Sequence, residues 1–144
     1  EAYNNRGSVY FQLANYDSAI YDYSKAIELN STYSETYGNR ANAYSILKKF
    51  DLAVRDYNVF ISYFPEHAMA YHWRGIAKSN LGDFDGALYD FNRSLQLNKD
   101  IAAAYLERSK VWLAKNQKAE AYKDAVTARS MGLPVDSLYL MSLR

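Results

Sequence analysis

Tyr3-Asn4-Asn5-Arg6-Gly7, Tyr37-Gly38-Asn39-Arg40-Ala41, Tyr71-His72-Trp73-Arg74-Gly75 and Tyr105-Leu106-Glu107-Arg108-Ser109 are one pentapeptide pattern written four times, each copy starting 34 residues after the last. Two further series keep the same interval: Ala19, Ala53, Ala87 and Ala121, and Asp22, Asp56, Asp90 and Asp124. Tyr, Arg, Ala and Asp thus recur in one register without an insertion, which is the signature of a repeat architecture.

Within a unit the period changes from chain repeat to helix. Tyr3, Arg6/Gly7, Tyr10 and Leu13 fall at three- and four-residue steps, one face of a helix. Asn15 breaks the pattern and Asp17 sits where a second helix starts, favoured there by the helix dipole. Ala19, Ile20, Tyr23, Ala26 and Ile27 form that helix's apolar stripe, and Asn30-Ser31 end it. Equivalent breaks stand at Lys48-Lys49, Leu81-Gly82-Asp83 and Asn116, and the links between units are Asn30 to Thr32, Phe64-Pro65-Glu66 and Asn98 to Asp100. Links this short join antiparallel neighbours. The expected fold is all-α, with four antiparallel helix hairpins over 1–33, 34–67, 68–101 and 102–132 in a single domain. Met131-Gly132-Leu133-Pro134 reads as a helix stop with Gly132 in a left-handed cap. Asp136 then caps a short helix running through Leu138 and Met141, and the segment 133–144 covers the last repeat, as a solenoid end requires.

Composition narrows the function. Seventeen Lys and Arg against sixteen Asp and Glu leave a net charge of +1, which argues against nucleic acid as the main partner and gives no polybasic signal for an anionic membrane. Forty-nine per cent hydrophobic residues suffice for a core, and 15 Tyr suit packed helices whose phenol tips reach water. No apolar run approaches the ~20 residues of a membrane span. Cysteine is absent, which excludes disulfides and thiolate metal sites. His67 and His72 do not share a helical face, so neither a metal nor another cofactor is expected. Asp83 and Asp85 lie in a turn, where capping explains them. No nucleophile elbow or phosphate loop is present, and the chain does not read as an enzyme.

These residues resemble the tetratricopeptide repeat, whose pattern is W-x2-L-G-x2-Y, then A-x3-F, then P. Tyr3, Arg6, Gly7, Tyr10, Ala19 and Tyr23 carry the likeness in the first unit, and Tyr37, Arg40, Ala41, Tyr44, Ala53, Tyr57 and Pro65 in the second. Tyr71, Arg74, Gly75, Ala87 and Phe91 carry it in the third. The fourth keeps Tyr105, Arg108, Ser109, Trp112 and Ala121 but has Ala125 in place of the aromatic. The resemblance implies a right-handed superhelical solenoid, a concave groove lined by the first helix of each unit, and use as a protein–protein interaction scaffold for a peptide or partner protein.

Carried over position by position, the groove falls on Asn4, Asn5, Ser8, Phe11 and Gln12 in the first unit, and on Glu35, Gly38, Asn39, Asn42, Ser45 and Ile46 in the second. In the third it falls on Met69, His72, Trp73, Ile76, Ser79 and Asn80, and in the fourth on Ala103, Leu106, Glu107, Lys110, Leu113 and Ala114. The amides of the N-terminal half suit a peptide backbone, and Asn5 and Asn39 share one repeat position. Met69, Trp73, Ile76, Leu106 and Leu113 form an expected apolar strip, with Trp73 either an anchor for a partner or a packing element between repeats. Members of the family that grip a C-terminal carboxylate use Lys, Asn and Arg. Asn39 matches one such position, but Asn4, Met69 and Trp73 stand at the cationic ones, so no such clamp is expected.

Arg replaces the family's Leu in every unit, with Asp sixteen residues on. Counting about the turns puts Asp22 level with both Arg6 and Arg40, so each Asp is expected to bridge two arginines in a structural ladder, the alternative being a substrate-binding role. Self-association through an uncovered N-terminal end, and a regulatory or spacer part of a larger protein, are the competing functional readings. The small residues at Gly7, Ala41, Gly75, Ser109 and in the Ala19 series let the helices approach closely. Leu at Ala53 is expected to overpack its hairpin and cost about 1–3 kcal/mol, measured by denaturant unfolding.

Overall fold

The computed structural model describes residues 1–144. It contains nine helices and no strand, in two compact units, Glu1–Glu66 and His67–Arg144. The first unit holds α1 (Ala2–Gln12), α2 (Tyr16–Leu29), α3 (Ser34–Ile46) and α4 (Phe50–Tyr63). The second holds α5 (Ala68–Asn80), α6 (Phe84–Leu97), α7 (Ala102–Ala114), α8 (Lys118–Ser130) and α9 (Ser137–Ser142). The strongest packing is within the hairpins α1–α2, α3–α4, α5–α6 and α7–α8, with α2 on α3 and α6 on α7 joining hairpins inside each unit.

Each hairpin turns on one left-handed residue. Ala14, Lys48, Gly82 and Asn116 have φ of 57°, 58°, 80° and 60°, and they keep the 34-residue interval. The residue after each donates its N–H back into the preceding helix: Asn15 to Tyr10 O at 2.9 Å, Lys49 to Tyr44 O at 2.8 Å, Asp83 to Lys78 O at 2.9 Å and Gln117 to Trp112 O at 2.8 Å. This six-to-one bond satisfies a carbonyl that the helix end would otherwise orphan. Gly132, at φ 90°, ends α8 in the same way, with Leu133 N–H on Ala128 O at 3.1 Å. Second helices then start on side-chain caps where the sequence supplies one: Asn15 Oδ1 accepts from Ser18 N–H and Asp83 Oδ1 from Gly86 N–H.

Close approach needs the small residues. A Cβ on Gly7 would lie 2.8 Å from the Tyr23 ring, and one on Gly75 would lie 2.9 Å from the Phe91 ring. Ala19, Ala53, Ala87 and Ala121 are fully buried. In the second unit Ala87, Leu88, Phe91, Leu95, Ile101, Ala104 and Val111 make one core. A second core of Ala121, Ala125, Leu140 and Leu143 is closed by α9. The terminal cover is therefore real, and Asp136 caps it by accepting from Leu138 N–H at 3.0 Å. Its inward face is Tyr139, Leu140 and Leu143, however. Leu138 and Met141, on the expected helix, point to solvent because the short helix docks by its other side.

Every hairpin carries the same ion pair. Arg6 Nε and Nη2 donate to the two oxygens of Asp22 at 2.6 and 2.8 Å, and Arg40 does so to Asp56 at 2.7 and 2.8 Å. Arg74 meets Asp90 at 2.9 and 2.6 Å, and Arg108 meets Asp124 at 2.6 and 2.7 Å. The carboxylates are buried, and each guanidinium lies over the repeat's first Tyr, at 5.4 Å for Arg6 on Tyr3 and 5.5 Å for Arg108 on Tyr105. Within each unit the expected second bridge, from Asp22 to Arg40 and from Asp90 to Arg108, is not formed. Arg40 Nη1 donates to Ser24 Oγ at 3.0 Å and Arg108 Nη1 to Asn92 Oδ1 at 2.7 Å, in each case two residues beyond the Asp. A carboxylate with both oxygens committed to a bidentate fork offers poor geometry to a second one. Asp90 takes Lys78 Nζ as its further cation, at 2.9 Å.

Two outcomes follow from this geometry. Ala14→Gly is expected to raise the unfolding free energy by about 0.5–1 kcal/mol, and Gly82→Ala, which meets no neighbouring atom, to lower it by about 1 kcal/mol through backbone strain alone. Urea unfolding of both variants measures the pair. The hydrogen bond from Arg6 holds the Asp22 carboxyl below its ordinary range, against a burial cost that pushes it up. A depressed folded-state value contributes stability above the unfolded pKa of ~3.9 and loses it as pH falls. Asp22→Asn removes that increment, so its stability should fall less steeply than wild type between about pH 5 and 2, and parallel curves would show that the pair is not linked to acid unfolding.

Candidate functional site

The first helices of the first unit keep part of the expected polar surface and spend the rest. Asn4 Oδ1 accepts from Thr36 Oγ1 at 2.9 Å, tying α1 to α3. Tyr57 Oη donates to Asn42 Oδ1 at 2.7 Å, and burial pushes that phenol up to about 12, so it stays a donor. Ser8 Oγ accepts from Tyr23 Oη at 3.3 Å and donates to Asn4 O at 3.1 Å. Phe11 stands edge-on to Tyr16 at 5.3 Å across the hairpin turn. Asn4, Ser8 and Asn42 are therefore internal fasteners as much as surface. Asn5 is exposed and Asn39 half-buried, and neither side chain is committed within the chain.

Beside Asn5 opens a cleft of about 520 Å³, lined by Glu1, Asn4, Asn5, Thr32, Tyr33, Ser34, Glu35 and Thr36. Its lining contains two carboxylates, amides and hydroxyls, and no Lys or Arg. Of these, Glu1, Thr32, Tyr33, Ser34 and Thr36 are not among the residues picked out by repeat position. Thr36 had a signal: Ala2, Ala70 and Ala104 occupy its place in the other units, so a buried hydroxyl there asks for a partner, which Asn4 supplies.

The second unit departs further from expectation. Met69 and Ile76 pack against the core built on Phe91 and Val111, and Leu113 packs against the core under α9. These three members of the expected apolar strip are thus partly buried against the cores and are not wholly open surface. His72 is only 4% exposed, with its ring 5.9 Å from Phe91, so it lies within the protein rather than lining an open surface. Burial pushes its imidazole below the ordinary value, with Glu107 pulling the other way, and Nδ1 finds no partner. Lys110 pairs with Glu107 at 2.7 Å. Trp73 and Leu106 are half-buried, and the Trp73 ring lies 6.2 Å from that of His67. His67 itself caps α5, its Nδ1 accepting from Ala70 N–H at 3.1 Å. No three His, Asp or Glu side chains gather in a metal-binding group, and no helix is long and apolar enough to cross a membrane.

Tetratricopeptide repeat family models match residues 1–33, 23–55 and 68–101. No curated protein matches the sequence. Among solved structures, the crystal structure of MamA protein superposes with a TM-score of 0.86 at 21% identity, over 91% of this chain and 72% of that one, a likeness of fold. The first tetratricopeptide domain of Spaghetti (RPAP3), solved with the HSP90 peptide SRMEEVD, is 31% identical with a TM-score of 0.75, over 80% of this chain and 91% of that one. The Arabidopsis OM64 tetratricopeptide domain is 25% identical with a TM-score of 0.72, over 76% and 91% of the two chains. With the period, the hairpins, the family models and a relative at this identity in agreement, the chain belongs to the tetratricopeptide repeat family, whose helical hairpins serve as protein-interaction scaffolds.

Proposed function

We propose that the chain binds an extended peptide segment of a partner protein against the first helices of its hairpins, and that it does no catalysis. The observation that carries this reading is the pair Asn5 and Asn39. They occupy one repeat position on helices in mutual contact, their side chains are uncommitted, and Asn5 opens on the cleft. A side-chain amide offers one acceptor and two donors, which matches the alternating groups of an extended backbone. The neighbouring polar groups Asn4, Ser8 and Asn42 are fixed by bonds to Thr36, Tyr23 and Tyr57, so the surface is preorganised before a ligand arrives. The Spaghetti domain, which was solved with a peptide, supports the same use of the fold.

The polarity of the cleft selects the ligand. Glu1 and Glu35, with no Lys or Arg side chain in the lining, disfavour an acidic tail and favour a neutral or basic segment. Peptides selected from a random library on the wild-type protein should therefore be neutral or basic. SRMEEVD should show no saturable binding by fluorescence anisotropy. Two backbone hydrogen bonds at about 1 kcal/mol each make the Asn5→Ala/Asn39→Ala variant weaker by roughly thirtyfold for a selected peptide. Unchanged affinity in that variant would overturn the reading.

A further inference from the structure

Three arginines of the second unit, Arg93, Arg129 and Arg144, have no carboxylate partner, and the last two line one small pocket. Arg74 and Arg108 are held by Asp90 and Asp124, and Arg93 donates to Gln96. Arg129 and Arg144 instead border a pocket of about 200 Å³ between α8 and α9, with Tyr122, Ser137, Leu140 and Met141. Arg144 Nη2 donates to Tyr122 Oη at 3.3 Å, and its guanidinium carbon lies 5.7 Å from the centre of that ring. The phenol thus braces one cation at the pocket wall.

No side-chain carboxylate pairs with either arginine. From 118 onward Lys118, Lys123, Arg129 and Arg144 are set against Glu120, Asp124 and Asp136. Asp124 is consumed by Arg108, and Asp136 caps α9. Two guanidinium groups border one concavity, so an anion held there can meet both. The planar fork of each guanidinium matches a carboxylate or phosphate in two-point contact. Tyr122 and Ser137 add hydroxyls that can donate. The volume is below that of an ordinary small-molecule site and suits a single charged head group. Leu140 at the wall is buried and Met141 is 65% exposed, so an apolar side chain next to the charged one would find a surface.

We propose that this pocket is a second binding site of the protein, for the oxyanion of a peptide side chain flanked by apolar residues, either a carboxylate or a phosphate monoester. It is independent of the amide surface on α1 and α3. End-blocked tripeptides Leu-Asp-Leu, Leu-phosphoserine-Leu and Leu-Ser-Leu are titrated into the isotope-labelled full chain while amide shifts are followed by NMR. Saturable shifts at Tyr122, Arg129, Ser137 and Arg144 with either anionic peptide, weaker at higher salt, are expected, and the stronger of the two identifies the natural head group. Arg129→Gln and Arg144→Gln should each raise Kd about tenfold or more with the thermal midpoint unchanged, since both side chains lie at the surface. No saturable shift there with either anionic peptide would overturn the proposal. So would equal shifts with Leu-Ser-Leu, or unchanged affinity in both variants. Shifts confined to Asn5, Glu35 and Asn39 would also reject this pocket, while leaving the amide surface standing.

Discussion

A buried carboxylate on the second helix of a hairpin is costly unless a cation reaches it with good geometry, and this chain meets that demand in the same way four times. Asp22, Asp56, Asp90 and Asp124 are each taken by both forks of an arginine from the first helix of the same hairpin. The pair sets the height of one helix against the other, because sliding either by a turn would strand the carboxylate in the core. The third arginine nitrogen then finds a neutral acceptor on the preceding hairpin, Ser24 for Arg40 and Asn92 for Arg108. One residue type thus fixes two registers: the hairpin through a charge, and the stack inside a unit through a hydrogen bond.

With register fixed by polar contacts, the apolar core can be built from small residues. Alanines of the second helices bring the backbones close, Tyr23 and Phe91 fill the space beside Gly7 and Gly75, and Tyr57 is buried at the equivalent place in the second hairpin. The fourth hairpin has Ala125 where those aromatics stand, and the volume is made up from outside the repeat. Trp112, Leu113 and Tyr139 pack around Ala121, Ala125, Leu140 and Leu143, and Tyr139 Oη meets Ser109 Oγ at 2.8 Å. The weak repeat and the terminal helix are one solution to one packing deficit.

Surface chemistry divides between the units. In the first, short polar side chains either fasten helices to each other or stay uncommitted at Asn5 and Asn39. In the second, longer apolar side chains at the same repeat positions sink into cores, and the uncommitted groups are cations near α9. A repeat position therefore does not carry a fixed role. Its neighbours on the adjacent helix decide whether it fastens, fills or faces water.

The sequence alone determined the helices, their pairing and the turn positions. Arg–Asp pairing inside each hairpin, the left-handed stop at Gly132 and the cap at Asp136 were legible for the same reason, since local hydrogen bonding and a short turn leave one arrangement. It did not determine which side chains of the first helices remain free. His72 looked like a groove residue and is buried against Phe91, and Asn42 looked like a ligand contact and is held by Tyr57. Nor did it show that the remaining nitrogens of Arg40 and Arg108 would choose Ser24 and Asn92 over the preceding hairpin's carboxylate, or that Arg129 and Arg144 would border one pocket with Tyr122. Those outcomes depend on distances between residues on different helices, which are set by the volume of everything packed between them and not by spacing along the chain.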